Sequence, residues 1–109
     1  GTLLSGLISS KDTISTDLGD IKFNLTEAFQ LQEKVEVLIR PENVILSHDN
    51  ENKAIITARY FRGSSYLYNL KTSRGAELLC LLHDSEVLKI DQLIGVRLQI
   101  DRPVIFSCP

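Results

Sequence analysis

The chain has 109 residues, of which 43% are hydrophobic and 24% are charged, a balance typical of one folded domain and unlike that of a disordered segment. Its formal net charge of −2 argues against binding to the phosphate backbone of nucleic acids, which requires clustered Lys and Arg. No apolar run is long enough to span a bilayer, so we expect no direct membrane insertion. Because Met is absent, we expect residues 1–109 to be one domain cut from a longer protein.

Most of the chain reads as short strands separated by polar or glycine-containing turns. Alternating or apolar runs predict strands at 3–8, 13–16, 20–25, 35–39, 44–46, 54–61, 66–72, 77–82, 96–100 and 104–108. Residues 26–34 fit either one helical turn or a polar loop, residues 48–53 form a loop, and residues 87–93 are ambiguous. Many short strands with little helix indicate an all-β domain, either a small barrel or a sandwich.

One internal echo suggests that this unit has two related halves. The segment VEVLIRPENVILS, residues 35–47, aligns with VRLQIDRPVIFS, residues 96–107, if one residue is skipped. Each segment is an alternating strand, a charged corner with Pro and a short apolar strand that ends in Ser. Proline suits such a corner because it has no N–H to donate to a strand ladder.

Catalytic and metal-binding patterns are missing from the sequence. There is no phosphate-binding loop with Lys, no nucleophile elbow and no zinc-like cysteine spacing. Loop 48–53 lacks the glycine and the distal Glu of a calcium loop. Cys80 and Cys108 lie among apolar neighbours, and we expect buried thiols rather than a disulfide. We therefore expect no catalytic residue, no bound metal and no enzymatic activity in this chain alone.

Arg40, Pro41 and Glu42 form the most distinctive local feature. They can be read as a solvated turn with a weak surface ion pair. Alternatively, Pro41 stiffens a contact point at which Arg40 offers its fork of donors to a neighbour.

A second feature joins two strands at Arg62, Gly63, Ser64, Ser65 and Tyr66. The simpler interpretation is a hairpin turn flanked by aromatic residues. The functional interpretation is an interface or a ligand site, since Gly63 permits close approach and the two serines offer small donors to an anion. Aromatic residues beside Arg also occur in proteins that bind single-stranded nucleic acids, but the acidic balance disfavours that class.

At these two motifs the sequence resembles a known family. Ile39-Arg40-Pro41-Glu42, then Phe61-Arg62-Gly63-Ser64 with Tyr66, and finally Gly95-Val96 match the pattern of the transport-associated OB-like domain, called TOBE. The resemblance covers roughly residues 34–107, and more loosely residues 1–33. The segment FRGSSYLY, residues 61–68, looks most like the branch found in ferric iron importers. Arg102-Pro103 departs from the aromatic or acidic turn that relatives often carry.

The resemblance implies an OB-like β-barrel that regulates the ATP-binding subunit of a bacterial ABC importer. ATP and Mg²⁺ would bind to a nucleotide-binding domain upstream, so this fragment needs no cofactor of its own. The implied partners are that domain, a second copy of the subunit and, through the parent protein, the membrane permease. The implied location is cytoplasmic and peripheral to the inner membrane. Some relatives bind an inhibitory anion, so a small-anion or metabolite sensor using the second feature is the alternative.

Overall fold

The computed structural model describes residues 1–83 and 87–108, and these residues form an all-β structure. The strands are β1 (Thr2–Ser10), β2 (Thr13–Thr16), β3 (Gly19–Lys22), β4 (Lys34–Ile39), β5 (Val44–Leu46), β6 (Lys53–Phe61), β7 (Ser65–Thr72), β8 (Glu77–His83), β9 (Leu93–Leu98) and β10 (Ile105–Ser107). A single 3₁₀ turn, Pro41–Asn43, interrupts the described strands. The all-β prediction is confirmed.

Strand β4 shows how the local pattern sets the structure. Val35, Val37 and Ile39 are buried, while Glu36 and Leu38 lie half-exposed on the other face. Side chains alternate across a strand, so this alternation needs one covered face. Residues 26–33, the segment left open between a helical turn and a loop, form turns and loop with no helix.

Two predicted strands have boundaries that differ most from the structure, 96–100 and 20–25. Gly95 was expected to precede a strand over 96–100, but it lies inside β9 and pairs with Lys53. The strand needs a glycine there because an added Cβ would lie only 2.2 Å from the Ser47 carbonyl oxygen. The predicted strand over 20–25 ends at Lys22 in the structure, although the Phe23 N–H still donates to the Asp12 carbonyl at 3.0 Å.

The strands form two antiparallel sheets of five strands with the same internal plan. One sheet has the order β10-β4-β1-β2-β3 and the other has the order β5-β9-β6-β7-β8. Each contains a three-strand meander, a fourth strand beside the first strand of that meander and a short strand at the edge. The chain therefore consists of two related halves, β1–β5 and β6–β10, as the echo predicted.

The two halves exchange their last strands. Strand β5 leaves the first half to pair with β9, and β10 leaves the second half to pair with β4. The two ladders correspond position by position: Val44–Leu98 with Ile105–Val37, Ile45–Arg97 with Phe106–Glu36, and Leu46–Val96 with Ser107–Val35. This correspondence contains no gap. The one-residue gap in the sequence alignment of the two segments was therefore wrong, because it equated Val44 with Val104 instead of Ile105.

The exchange joins the halves around one continuous core. Buried apolar side chains from both sheets form a single cluster, in which Ile8, Ile14, Ile56 and Leu70 are fully covered. In the second sheet, edge strand β8 also lies against edge strand β5. That contact gives the second half the curvature of a small barrel and agrees with an OB-like fold.

Candidate functional site

The first corner, residues 40–43, is a hydrogen-bonded 3₁₀ turn. The Arg40 N–H donates to the side-chain oxygen of Asn43 at 2.9 Å, and the Asn43 N–H donates to the Arg40 carbonyl at 2.9 Å. Pro41 occupies the first position of the turn, where its missing N–H costs nothing and its fixed φ favours the bend. The local sequence thus specifies a stiff corner.

Asn43 also ties this corner to the second half of the chain. Its side-chain amide donates to the Gln99 carbonyl at 3.2 Å, and its own carbonyl accepts from the Gln99 N–H at 2.8 Å. The 3₁₀ turn lies against β8 as well. Sequence reasoning selected the three residues before Asn43 and missed the residue that anchors them. The signal was available, since Asn commonly hydrogen-bonds nearby backbone in turns.

The charged side chains of the first corner face solvent. Arg40 and Glu42 are both exposed, and within residues 1–83 and 87–108 no ion pair joins them. A weak mutual pair therefore does not explain them. They remain accessible to a neighbouring protein surface.

The second feature is the turn of the β6–β7 hairpin, which we call the hairpin tip, residues 62–65. The Arg62 N–H donates to the Ser65 carbonyl at 2.8 Å, and the Ser64 N–H donates to the Arg62 carbonyl at 3.0 Å. Gly63 has φ +76°, the left-handed backbone expected of such a three-residue γ-turn. Arg62, Gly63 and Ser64 are exposed, whereas Ser65 is buried.

Aromatic side chains stack beneath the hairpin tip. The rings of Phe61 and Tyr66 lie 5.3 Å apart, and those of Tyr66 and Tyr68 lie 6.0 Å apart. The guanidinium of Arg59 lies 5.7 Å from the Tyr66 ring centre and donates to the Leu88 carbonyl at 3.0 Å. Arg59 is thus the cation–π partner of Tyr66, whereas the sequence analysis selected Arg62.

The first corner and the hairpin tip are separate features. No hydrogen bond or ion pair among the described residues joins them. Within the same residues, no group of three or more His, Cys, Asp or Glu is placed to hold a metal ion. No helix in that part of the chain is long and apolar enough to cross a membrane.

The two cysteines are free thiols in different environments. Cys80 is fully buried and its Sγ donates to the Val44 carbonyl at 3.3 Å, a contact that links β8 to β5. Burial raises the pKa of this thiol to about 11, so Cys80 stays protonated and unreactive near neutral pH. Cys108 is exposed, and the prediction that both thiols are buried was therefore wrong for Cys108.

The features described above fall almost entirely within one family match. The family model of the TOBE domain matches residues 37–106, which include the first corner and the whole β6–β7 hairpin. This chain belongs to the TOBE domain family. A search of curated proteins found no match.

Proposed function

We propose that this TOBE domain is the C-terminal regulatory part of the ATP-binding subunit of an ABC importer. The observation that supports the proposal best is the family match over residues 37–106 on a two-sheet β fold. In this proposal the domain performs no catalysis itself, and ATP with Mg²⁺ binds to the nucleotide-binding domain of the same subunit. The subunit works on the cytoplasmic side of the membrane, attached through the permease subunits.

The first corner is proposed as the junction with that nucleotide-binding domain. Hydrogen bonds of Asn43 hold its backbone, because Asn43 bonds to Arg40 at the start of the turn and to Gln99 in the second half of the chain. A corner fixed in this way transmits a displacement instead of absorbing it. Arg40 and Glu42 are exposed at its surface and offer opposite charges to the neighbouring domain.

The junction role has a direct test in the full subunit. Replacing Asn43 by Ala removes the side-chain bonds of the corner, while Arg40→Gln removes an exposed charge and leaves the turn intact. We expect either change to weaken the coupling between the transported solute and ATP hydrolysis, with folding preserved in Arg40→Gln. Full stimulation of hydrolysis in both variants would contradict the junction.

A second copy of the subunit is the proposed partner of the outer face of the first sheet. Four apolar side chains lie there around the carboxylate of Glu36, which we call the outer patch: Leu3, Leu38, Val104 and Phe106. Leu3 and Leu38 are cross-strand neighbours, and the Leu38 N–H donates to the Val104 carbonyl at 3.0 Å. Leu3 and Phe106 are 49% and 48% exposed, so these apolar side chains are uncovered.

The size of the outer patch sets the expected strength of self-association. Stable interfaces cover about 800 Å² on each partner, and four side chains supply only part of that area. We therefore expect the isolated domain to dimerise weakly and the full subunit to dimerise more tightly. The mutual contact would hold the pair together while the nucleotide-binding domains open and close.

Sedimentation equilibrium of the isolated domain tests this contact. Phe106→Ser should lower the dimer fraction, whereas the matched control Phe61→Ser, at the exposed end of β6 (65% exposed), should leave it unchanged. A strict monomer at the highest soluble concentration would contradict self-association. Loss of the dimer in Phe61→Ser alone would move the contact to the hairpin tip.

The transported solute is proposed to be ferric iron, because the sequence from Phe61 to Tyr68 resembles the branch found in ferric iron importers. Substrate choice in such importers rests mainly with other subunits, so this part of the proposal needs a transport assay. Deleting the gene should abolish uptake of radiolabelled ferric iron and leave uptake of maltose and polyamines intact. The reverse pattern would reject iron and keep the regulatory role.

A further inference from the structure

The second corner, residues 101–103, borders a cavity that neither motif of the sequence analysis includes. The cavity has a volume of about 300 Å³ and lies between this corner and the chain that follows β3. This is the lower end of the size range of small-molecule sites. Its lining includes two aromatic residues, Phe23 and Phe29, and two residues of opposite charge, Asp101 and Arg102.

The repeat explains why a cavity opens here. The first and second corners occupy equivalent places in the two halves, and the first is packed against β8. The strand equivalent to β8 in the other half is β3, which has four residues where β8 has seven. After Lys22 the chain turns to bond with the β1–β2 turn, through the Phe23 N–H and the Leu25 N–H. The second corner therefore faces a loop instead of a strand.

The lining has an apolar floor and a polar rim. Phe23 is buried in the core and Phe29 packs against that core, so the rings supply a fixed apolar surface. Arg102 is exposed at the rim, and its guanidinium suits a carboxylate because its donors match both oxygens. Asn24 and Thr26 add an amide and a hydroxyl to the same rim.

Asp101 restricts the charge of any ligand that the cavity could bind. Asp101 lines the cavity together with Arg102, so a doubly charged oxyanion such as sulfate would meet repulsion together with attraction. A single carboxylate avoids most of that cost, and an ammonium group on the same molecule would pair with Asp101. The apolar floor in turn requires a ring or a branched chain.

We infer that this cavity binds a small amphipathic carboxylate, with its apolar body on Phe23 and Phe29 and its carboxylate on Arg102. A free apolar amino acid and a simple aromatic acid share this chemistry. The inference goes beyond the proposed function, because the domain can dimerise and regulate without any ligand. It places metabolite sensing at the second corner, whereas the sequence had suggested the hairpin tip.

Titration of the isotope-labelled domain followed by NMR tests the inference. Phenylacetate and L-phenylalanine serve as probes, with phenethylamine and sulfate as probes that lack the carboxylate or the ring. We expect saturable shifts at the backbone amides of Asn24 and Arg102 with the two carboxylates only. Arg102→Gln should weaken their binding by about tenfold or more, because a charge-assisted hydrogen bond is lost.

Arg97→Gln is the matched control, since Arg97 is an exposed arginine on β9 outside the cavity. It should bind the probes as the unaltered domain does. Tighter binding of L-phenylalanine than of phenylacetate, abolished by Asp101→Asn, would identify an amino acid as the ligand, and equal binding would identify a simple acid. No saturable shift with either carboxylate, equal affinity in Arg102→Gln, or displacement of both probes by sulfate would overturn the inference.

Discussion

Replacing Gly95 by Ala tests how closely the two halves approach in the middle of β9. A Cβ at this position would lie 2.2 Å from the Ser47 carbonyl oxygen, 2.7 Å from the Asn50 carbonyl oxygen and 2.8 Å from the Asn50 Cβ. Two of these atoms belong to the backbone, so no side-chain rotation relieves the overlap. The loop would have to withdraw by about 1 Å before contacts became ordinary.

That withdrawal also weakens the bonds that hold the loop. The Ser47 N–H donates to the Gly95 carbonyl at 3.0 Å, and the Val96 N–H donates to the Asn52 carbonyl at 2.7 Å. Overpacking costs about 1–3 kcal/mol and each lost hydrogen bond about 1 kcal/mol. We therefore expect Gly95→Ala to lower the free energy of unfolding by about 3 kcal/mol.

Urea denaturation measures this change, with Gly63→Ala as the control. A Cβ on Gly63 would meet no atom within 4 Å, so that variant should lose only about 1 kcal/mol, the cost of a left-handed φ for a residue with a Cβ. The two glycines thus separate steric cost from conformational cost. A loss below about 0.5 kcal/mol in Gly95→Ala would refute the reasoning, because surface substitutions without a mechanism fall in that range.

Three further changes have defined outcomes. Tyr68→Phe should lower the free energy of unfolding by about 1–2 kcal/mol, since the fully buried Tyr68 hydroxyl accepts from the Leu88 N–H at 3.0 Å; unchanged denaturant midpoints would contradict this. Cys80 has a folded pKa of about 11 against an ordinary 9.0, so the stability due to its burial is present below pH 9 and is lost as pH rises toward 11. Iodoacetamide at neutral pH should accordingly label Cys108 and spare Cys80, as read by mass spectrometry of the native protein. Arg74→Ala should lower the free energy of unfolding by well under ~1 kcal/mol. The Arg74 Nε lies 3.3 Å from an oxygen of Asp17, but the arginine side chain is 81% exposed and water screens the ion pair. A larger loss of thermal stability would assign that pair a structural role.

Local features of this fold were accessible from the sequence because their causes are local. The alternation of Val35, Val37 and Ile39 requires one covered face, and the structure covers it. Pro41 before a short apolar run indicates a corner, and Gly63 between two aromatic strands indicates a turn that needs positive φ. Each of these predictions depends on residues within a few positions of one another.

The remaining features depend on contacts between distant parts of the chain. The echo between residues 35–47 and 96–107 indicated two related halves, but strand exchange is set by pairing between them and leaves no mark on either segment alone. The close approach at Gly95 depends on where the Ser47 carbonyl lies. In the same way, the cavity beside Arg102 exists because β3 is shorter than β8, a difference that becomes meaningful only when the halves are superimposed.

The candidate site likewise combines features set by the local sequence with features set by contacts between distant parts of the chain. The local motif selected Arg40, Pro41 and Glu42, while the hydrogen bonds that fix them run through Asn43 to Gln99. The exposure of Arg40 and Glu42 follows from the stiff turn itself.

Sequencing the gene upstream of Gly1 tests the central claim most directly. The proposed regulatory role predicts an open reading frame that continues upstream and encodes a phosphate-binding loop ending in Gly-Lys-Ser or Gly-Lys-Thr, followed by an ABC signature. A start codon immediately before Gly1 would contradict the assignment to an ATP-binding subunit. The protein would then be a free-standing TOBE domain, and ligand binding at the second corner would become its leading function.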